Sequence, residues 1–325
     1  MTDFHTSFSG GTAQVRQHSG ARSPRRRCLA TVATSLALVL GACSSDSPEA
    51  ESPSTAAEAE ESEGSPDLQE QFDELESRFD ARLGVYAVDT ASGDAVEWRA
   101  EDRFAYASTI KAMAAGALLD DVGIEGLDRE VTIDSDDIIA HSPVTEQHTG
   151  EAMTLAELSE AAMVISDNAA ANYLFDALGG VSSLGTSLEE LGDEVTSVAR
   201  DEPDLNEAAP GDERDTTTPR AFGENLQEFA FGDTLSAQEQ ELFTGWLKDT
   251  ETGDTLVRAD LPDDWTVGDK SGSAGYGTRN DIAVVWPDEG GPLVVSVFSD
   301  LGDDDAEADD RLIAEAAELA VSDLR

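Results

Sequence analysis

Segments with strand character lie near the two ends of the folded part of this chain, and most of what separates them reads as helix. Arg82 to Asp89 (RLGVYAVD) and Ala95 to Arg99 flank the turn-rich Thr90-Ala91-Ser92-Gly93, which predicts a β-hairpin. Far downstream, Trp265 to Lys270, Asp281 to Trp286 and Pro292 to Ser299 predict three more strands. Helical spacing marks Gln69 to Phe79, with Phe72, Leu75 and Phe79 in phase, and then Thr109 to Leu119, Leu155 to Ile165 and Ala169 to Leu178. A closing helix over Ala306 to Leu324 repeats Leu312, Ile313, Ala316 and Leu319 on one face. Strands so distributed can share a sheet only if the chain ends meet. The expected class is therefore α/β of the α+β kind, with one antiparallel sheet built from both chain ends, flanked by helices, and an all-helical middle region.

The first 66 residues are read apart from that fold. Arg25-Arg26-Arg27 precede a short apolar run, Leu29 to Leu40, that ends in Leu40-Gly41-Ala42-Cys43. The run is too short to span a bilayer comfortably, so residues 1–42 read as an export signal. Leu-Gly-Ala-Cys resembles a bacterial lipobox, in which cleavage before Cys43 leaves a thiol that carries lipid; an ordinary cleaved signal with a coincidental cysteine is the alternative. The tandem arginines followed by Leu29 resemble a twin-arginine export signal, although Cys28 stands where an aromatic is more usual. The expected location is the outer face of the cytoplasmic membrane, reached through a lipid anchor. Residues 43–66 are Ser, Pro, Ala and acid with no large apolar side chain, and read as a disordered acidic tether. The folded domain is then expected over 67–325.

Removal of residues 1–42 leaves 15 basic and 68 acidic side chains, a net charge of −53. Such a field repels phosphate backbones and excludes a general affinity for nucleic acid. Dense carboxylate with scarce lysine is also a composition that stays soluble in high salt, and a solvated acidic face needs no partner. With Cys43 anchored, no cysteine remains for an internal disulfide.

Only three lysines occur, and two of them fall inside small polar motifs. Lys111 follows Ser108 by three residues at the start of a predicted helix. That spacing places the ammonium one turn on and on the same face as the hydroxyl. A serine is a poor nucleophile until a base takes its proton, and lysine serves if burial depresses its pKa. Free N–H groups at the helix end could stabilise an oxyanion. Taken alone the pair is weak, because a Ser three residues before a given Lys arises by chance in roughly one case in fifteen. It is accompanied by Ser166-Asp167-Asn168 at a helix junction, which by itself could equally be an N-cap, and by Lys270-Ser271-Gly272-Ser273 at a strand end. Lys248 is left as an ordinary surface residue.

In this order and at these separations, Ser108-x-x-Lys111, Ser166-Asp167-Asn168 and Lys270-Ser271-Gly272 resemble the three signatures of class A serine β-lactamases and penicillin-binding proteins. Arg200-Asp201-Glu202-Pro203-Asp204-Leu205-Asn206-Glu207, continuing to Asp215-Thr216-Thr217-Thr218-Pro219, is similar to the omega loop of the class A enzymes. Gly275-Tyr276-Gly277-Thr278-Arg279-Asn280-Asp281 continues the last motif in the same style. The resemblance runs from about Asp67 to the C-terminus and implies a β-lactamase/transpeptidase-like fold. It implies that Ser108 attacks the lactam carbonyl, with the backbone N–H groups of Ser108 and Ser273 as oxyanion hole, and that Ser166 relays a proton to the leaving nitrogen. Lys111 would be general base or proton relay. Glu202, held with Asn206, would activate the water that releases the acyl group. Asn168 would hold the substrate's side-chain amide, and Lys270, Ser271, Gly272, Ser273 and Arg279 would receive its carboxylate. Arg200 and Asp215 would tie the ends of the omega loop. Two departures stand out: His141 where an aromatic often lines the cleft, and Ala274 where glycine is common.

Other classes remain in play. A D,D-peptidase or penicillin-binding protein shares the three short motifs but has no reason to keep Glu202 and Asn206 with their flanks. A Ser-His-Asp esterase has only His141 and His148 to draw on, and the same two histidines cannot fill a zinc site. A non-catalytic binding lipoprotein of the same descent is the remaining alternative. The expectation is a monomer that hydrolyses β-lactams without cofactor or metal.

Overall fold

The computed structural model describes residues 66–325; the expected export signal, Cys43 and the expected tether up to residue 65 lie outside the described residues. Five strands form one antiparallel sheet: β1 (Arg82–Asp89), β2 (Ala95–Trp98), β3 (Thr266–Ala274), β4 (Thr278–Trp286) and β5 (Leu293–Asp300). Their order is β2-β1-β5-β4-β3, so the N-terminal hairpin pairs directly with the last strand, Val85 opposite Val297 and Ala87 opposite Val295. The expected sheet from both chain ends is observed.

Alternation along the strands explains the layering. Leu83, Val85, Ala87, Ala283, Val285, Val295 and Val297 face one way and pack with α1 (Pro66–Phe79) and α8 (Asp310–Asp323). Tyr86, Val88, Ile282, Val284, Val294 and Phe298 face the other way, into the helical body. With both faces covered, each such Val, Ile or Leu contributes about 1.5–3 kcal/mol on burial. The helical body is built from α2 (Ile110–Gly126), α3 (Leu155–Val164), α4 (Asn168–Leu178), α5 (Val181–Leu191), α6 (Pro219–Phe231) and α7 (Ala237–Lys248). In α2, ten consecutive residues from Ile110 to Leu119 are buried, and a helix that is apolar all round belongs at the centre of a bundle.

Three boundaries differ from expectation in ways that matter. Strand β3 continues to Ala274 instead of stopping at Lys270, because Ser271, Gly272 and Ser273 keep pairing with Asp281, Asn280 and Arg279. Helix α8 begins at Asp310, since Asp309 caps it by accepting from the Arg311 N–H and the preceding acidic stretch forms a turn. Helix α2 runs on to Gly126 through a break at Gly123.

Candidate active site

The nucleophile candidate sits in a single 3₁₀ turn, Ala107–Thr109, just ahead of α2. Ala107 holds a left-handed φ of 50°, a conformation that costs a non-glycine residue about 1 kcal/mol or more and that turns the chain sharply before Ser108. Edge strand β3 passes this turn closely. A Cβ on Gly272 would stand 3.0 Å from the Tyr106 carbonyl oxygen and 3.2 Å from the Ala107 Cβ, so the absence of a side chain permits the approach. Because β3 is the sheet edge, its unpaired backbone side is available to the hollow between sheet and helices.

Lys111 is fully buried on the first turn of α2, and its Nζ donates to Ser108 Oγ at 2.9 Å, Ser166 O at 2.8 Å and Asn168 Oδ1 at 2.6 Å. Glu202 Oε1 lies 3.0 Å from the same ammonium. Burial holds the Lys111 pKa below the usual lysine value, with the Glu202 carboxylate opposing that shift. Ser108 Oγ donates to Glu202 Oε1 at 3.3 Å, and Asn206 Nδ2 donates to Glu202 Oε2 at 2.5 Å. The Asn206 side-chain oxygen Oδ1 is buried with no hydrogen-bond partner.

Lys270 is also fully buried, and its Nζ donates to Ser166 Oγ at 3.1 Å and Ser271 O at 2.9 Å. Burial, reinforced by the neighbouring Lys111 charge, lowers its pKa to about 7. Ser166 therefore stands between two ammonium groups, at a left-handed φ of 63°. The hollow these residues surround measures about 380 Å³ and is lined by Ser108, Ser166, Asn168, Asn206, Ser271 and Ser273, with His141, Thr252, Gly272 and Arg279 completing the wall. A larger hollow of about 510 Å³ between Arg82, Arg103 and the far side of the omega loop contains none of the convergent groups.

The omega loop is tied at its neck. Asp215 accepts from the backbone N–H groups of Ala199 and Arg200, both at 2.9 Å, from Arg200 Nε at 2.5 Å and from the Tyr106 hydroxyl at 2.9 Å. The Tyr106 pKa is raised well above its ordinary value by burial and by Asp215. The Glu202–Pro203 peptide bond is cis. The Gly275 N–H donates to Asn206 O at 3.0 Å and fastens the loop to the β3–β4 turn.

Two residues picked from sequence are engaged differently from the roles first given them. Arg279 does line the hollow, but its Nε and Nη2 are committed to Asp310 at 2.7 and 3.2 Å, so it is a neutralised pair rather than a free cation. Asn168 uses both ends of its amide within the protein, Oδ1 accepting from Lys111 and Nδ2 donating to Ala140 O at 3.0 Å. Only one amide hydrogen is left to meet a substrate. His141 has a left-handed φ of 60° and its Nε2 lies 3.3 Å from Ile165 O. Lys248 lies 4.1 Å from the Trp286 ring centroid, a cation–π contact and not a bare surface position.

Three contributors were given no role from the sequence. Asn172 clasps the Glu202 backbone, its Oδ1 accepting from the N–H at 2.9 Å and its Nδ2 donating to the carbonyl at 2.8 Å. Its position one turn after Asn168 on α4 was the available signal. Asp167, buried, accepts from the N–H groups of Val144, Thr145 and Ala170 and so fixes the loop that carries His141. Thr252 accepts a hydrogen bond from Ser271 Oγ at 2.8 Å, and nothing in its local sequence marks it.

A serine whose oxygen touches both a buried ammonium and a carboxylate, beside a sheet edge that can receive a carbonyl oxygen, is the site of a serine acyl-transfer enzyme. Comparison with known proteins agrees. The profile of the β-lactamase enzyme family matches residues 67–324. A β-lactamase of Amycolatopsis lactamdurans is 48% identical over 259 residues, which are 80% of this chain and 86% of that protein. Among solved structures, an ancestral class A β-lactamase superposes with a TM-score of 0.76 at 50% identity, covering 78% of this chain and 99% of that one. The crystal structure of a halotolerant bacterial β-lactamase gives a TM-score of 0.77 at 46% identity, over 81% and 100% of the two chains. The chain belongs to the β-lactamase enzyme family, as a class A serine enzyme.

Proposed function

We propose that this chain opens the ring of β-lactam antibiotics in two steps, acylation of Ser108 and hydrolysis of the resulting ester by water activated at Glu202. The observation that carries the reading is the placement of one carboxylate against both the serine and its lysine: Glu202 Oε1 is 3.3 Å from Ser108 Oγ and 3.0 Å from Lys111 Nζ. In acylation Ser108 Oγ bonds to the lactam carbonyl carbon, the oxygen of that carbonyl rests on the N–H groups of Ser108 and Ser273, and the C–N bond breaks as Ser166 passes a proton to nitrogen. Lys111 faces more oxygen acceptors than it has hydrogens, which favours its ammonium form, while the Ser108 hydroxyl hydrogen points at Glu202. That arrangement supports Glu202 as the first acceptor of the serine proton; a proton then passes from Glu202 through Lys111 to Ser166 as Ser166 protonates the nitrogen, so that Glu202 is a carboxylate again before deacylation. In deacylation the free Asn206 side-chain oxygen and the Glu202 carboxylate hold a water, Glu202 takes its proton, and Ser108 leaves with a proton returned. Lys270, Ser271 and Arg279 receive the substrate carboxylate, Asn168 its side-chain amide, and His141 forms part of the rim.

Purified domain given a chromogenic cephalosporin should turn it over continuously. Glu202→Ala should give one stoichiometric burst and a stable adduct on Ser108 by intact mass. A burst without turnover in the parent would favour the D,D-peptidase reading, and no reaction would favour a non-catalytic relative.

For the residues ahead of the domain we propose cleavage before Cys43, lipidation of its thiol and display on the outer face of the cytoplasmic membrane as a monomer. The basic segment, short apolar run and small residues before Cys43 support this. Metabolic labelling with a lipid analogue, lost in Cys43→Ala, tests it.

A further inference from the structure

Resting on the β-lactamase reading above, we infer that this cleft sorts its substrates by net charge, favouring β-lactams whose side chain carries an ammonium group and disfavouring those that carry a second carboxylate. All these substrates share one ring carboxylate, so the question is what a second charge would meet.

Three observations bear on that. Among the described residues, Arg279 is the one cation lining the hollow that solvent reaches, and Asp310 occupies both its Nε and its Nη2. Lys111 is fully buried with its hydrogens turned to Ser108, Ser166 and Asn168, and Lys270, also fully buried, gives two of its three hydrogens to Ser166 Oγ and Ser271 O, which leaves one for the ring carboxylate. The cationic capacity of the site therefore suffices for one carboxylate and leaves none for another.

The flanks of the hollow carry carboxylates. Glu251 is exposed next to wall residue Thr252 and takes part in no ion pair among the described residues. The exposed Asp303 to Asp305 follow Leu301 and Gly302, whose N–H groups both donate to Tyr276 O in the β3–β4 turn, and Tyr276 stands three residues along the chain from each of Ser273 and Arg279. At longer range, residues 66–325 hold 61 acidic against 15 basic side chains. Eleven of those 15 bases stand within 4.0 Å of a carboxylate, so little unpaired positive charge offsets the surplus.

A field of one sign over a cleft changes encounter rates by about 10- to 1,000-fold at low ionic strength and fades as salt shortens its reach. The test uses three penicillins with the same ring system and the same aryl-acetyl side chain, bearing at the α-carbon a hydrogen, an ammonium or a carboxylate. Their net charges are about −1, 0 and −2 at neutral pH. Measured as kcat/KM at low and at molar KCl, the ammonium-to-carboxylate ratio should be at least about tenfold at low salt and fall severalfold in molar salt. Taking the ratio at each salt concentration cancels any effect of salt on the enzyme itself. Glu251→Gln combined with Asp304→Asn should raise kcat/KM for the doubly anionic substrate about twofold or more at low salt, and leave the zwitterion nearly unchanged. If all three are hydrolysed but the ratio does not move with salt, the charge-sorting inference is overturned. If none is hydrolysed at any salt, it is the β-lactamase reading that fails.

Discussion

Lys111 Nζ and Glu202 Oε1 lie 3.0 Å apart with no solvent access to either side chain. An ion pair so placed is held by its remaining hydrogen bonds, here to Ser108, Ser166, Asn168 and Asn206, and each partner protects the other from an unpaired burial. Lys111→Ala should therefore cut the single-turnover acylation rate by about 100- to 10,000-fold and leave an uncompensated Glu202. Stopped-flow acylation by a chromogenic substrate measures this. A loss confined to deacylation would contradict the arrangement described.

Lys270 gives a pH dependence with two signs. Its folded pKa of about 7 lies below the ordinary 10.5, so between these values the unfolded chain binds a proton that the folded chain does not. Stability contributed by this group therefore rises with pH across that window. Carboxylate capture runs the other way, because the neutral amine no longer attracts it. The expected result is a kcat/KM profile that declines above about pH 7, with the kcat profile declining at higher pH because bound carboxylate favours the ammonium.

Asp310 sets how much of Arg279 a substrate can use. Asp310→Asn should lower KM for monoanionic β-lactams severalfold with kcat little changed, since the freed guanidinium attracts the carboxylate equally in ground and transition states. An unchanged KM would show that the ion pair already yields to substrate.

Behind Lys270, Asp269 and Asp281 are both fully buried, and each leaves one carboxylate oxygen without a hydrogen-bond partner. Burial raises both pKa values, that of Asp281 well above the ordinary range, whereas Arg258 opposes the rise at Asp269. For a carboxyl raised in this way, stability falls as pH climbs from the unfolded value through the folded one. Asp281→Asn should flatten that slope in thermal melts and cost little at neutral pH. Asp269→Asn should cost about 1.5–3 kcal/mol, because it removes the charge that Arg258 Nε and Nη2 share and leaves that guanidinium only the exposed Asp254, 3.8 Å away.

At the loop neck, Asp215→Asn removes the charge that two backbone N–H groups, Arg200 and the Tyr106 hydroxyl share. A loss of about 3 kcal/mol in unfolding free energy is expected. Acylation and deacylation should both slow, because Glu202 rides on this loop and takes a proton in each step, and deacylation should slow more, because Asn206 rides on it too.

The layered fold was legible because alternation and helical spacing are local signals, and β1, β4 and β5 display them almost without interruption. The end of β3 was not legible. Ser271-Gly272-Ser273 has poor strand propensity, and it is the pairing with β4 that holds it extended. Ser108, Lys111, Ser166 and Lys270 were picked out from residue types at characteristic spacings and Glu202 from the omega-loop resemblance, and the structure joins all five in one hydrogen-bonded cluster beside the hollow. Asn172, Thr252 and Asp310 were not, because what they do depends on partners 30, 19 and 31 residues away. The quenching of Arg279 is likewise a tertiary fact that its motif conceals.

Since β1 borders β5, the first strand of the sheet has only its hairpin partner β2 until the last strand is in place. Closing that register spans most of the domain, a non-local pairing of the kind that assembles slowly. The hollow around Ser108 is therefore a late product of folding, because Lys270 reaches it only on a strand of that sheet.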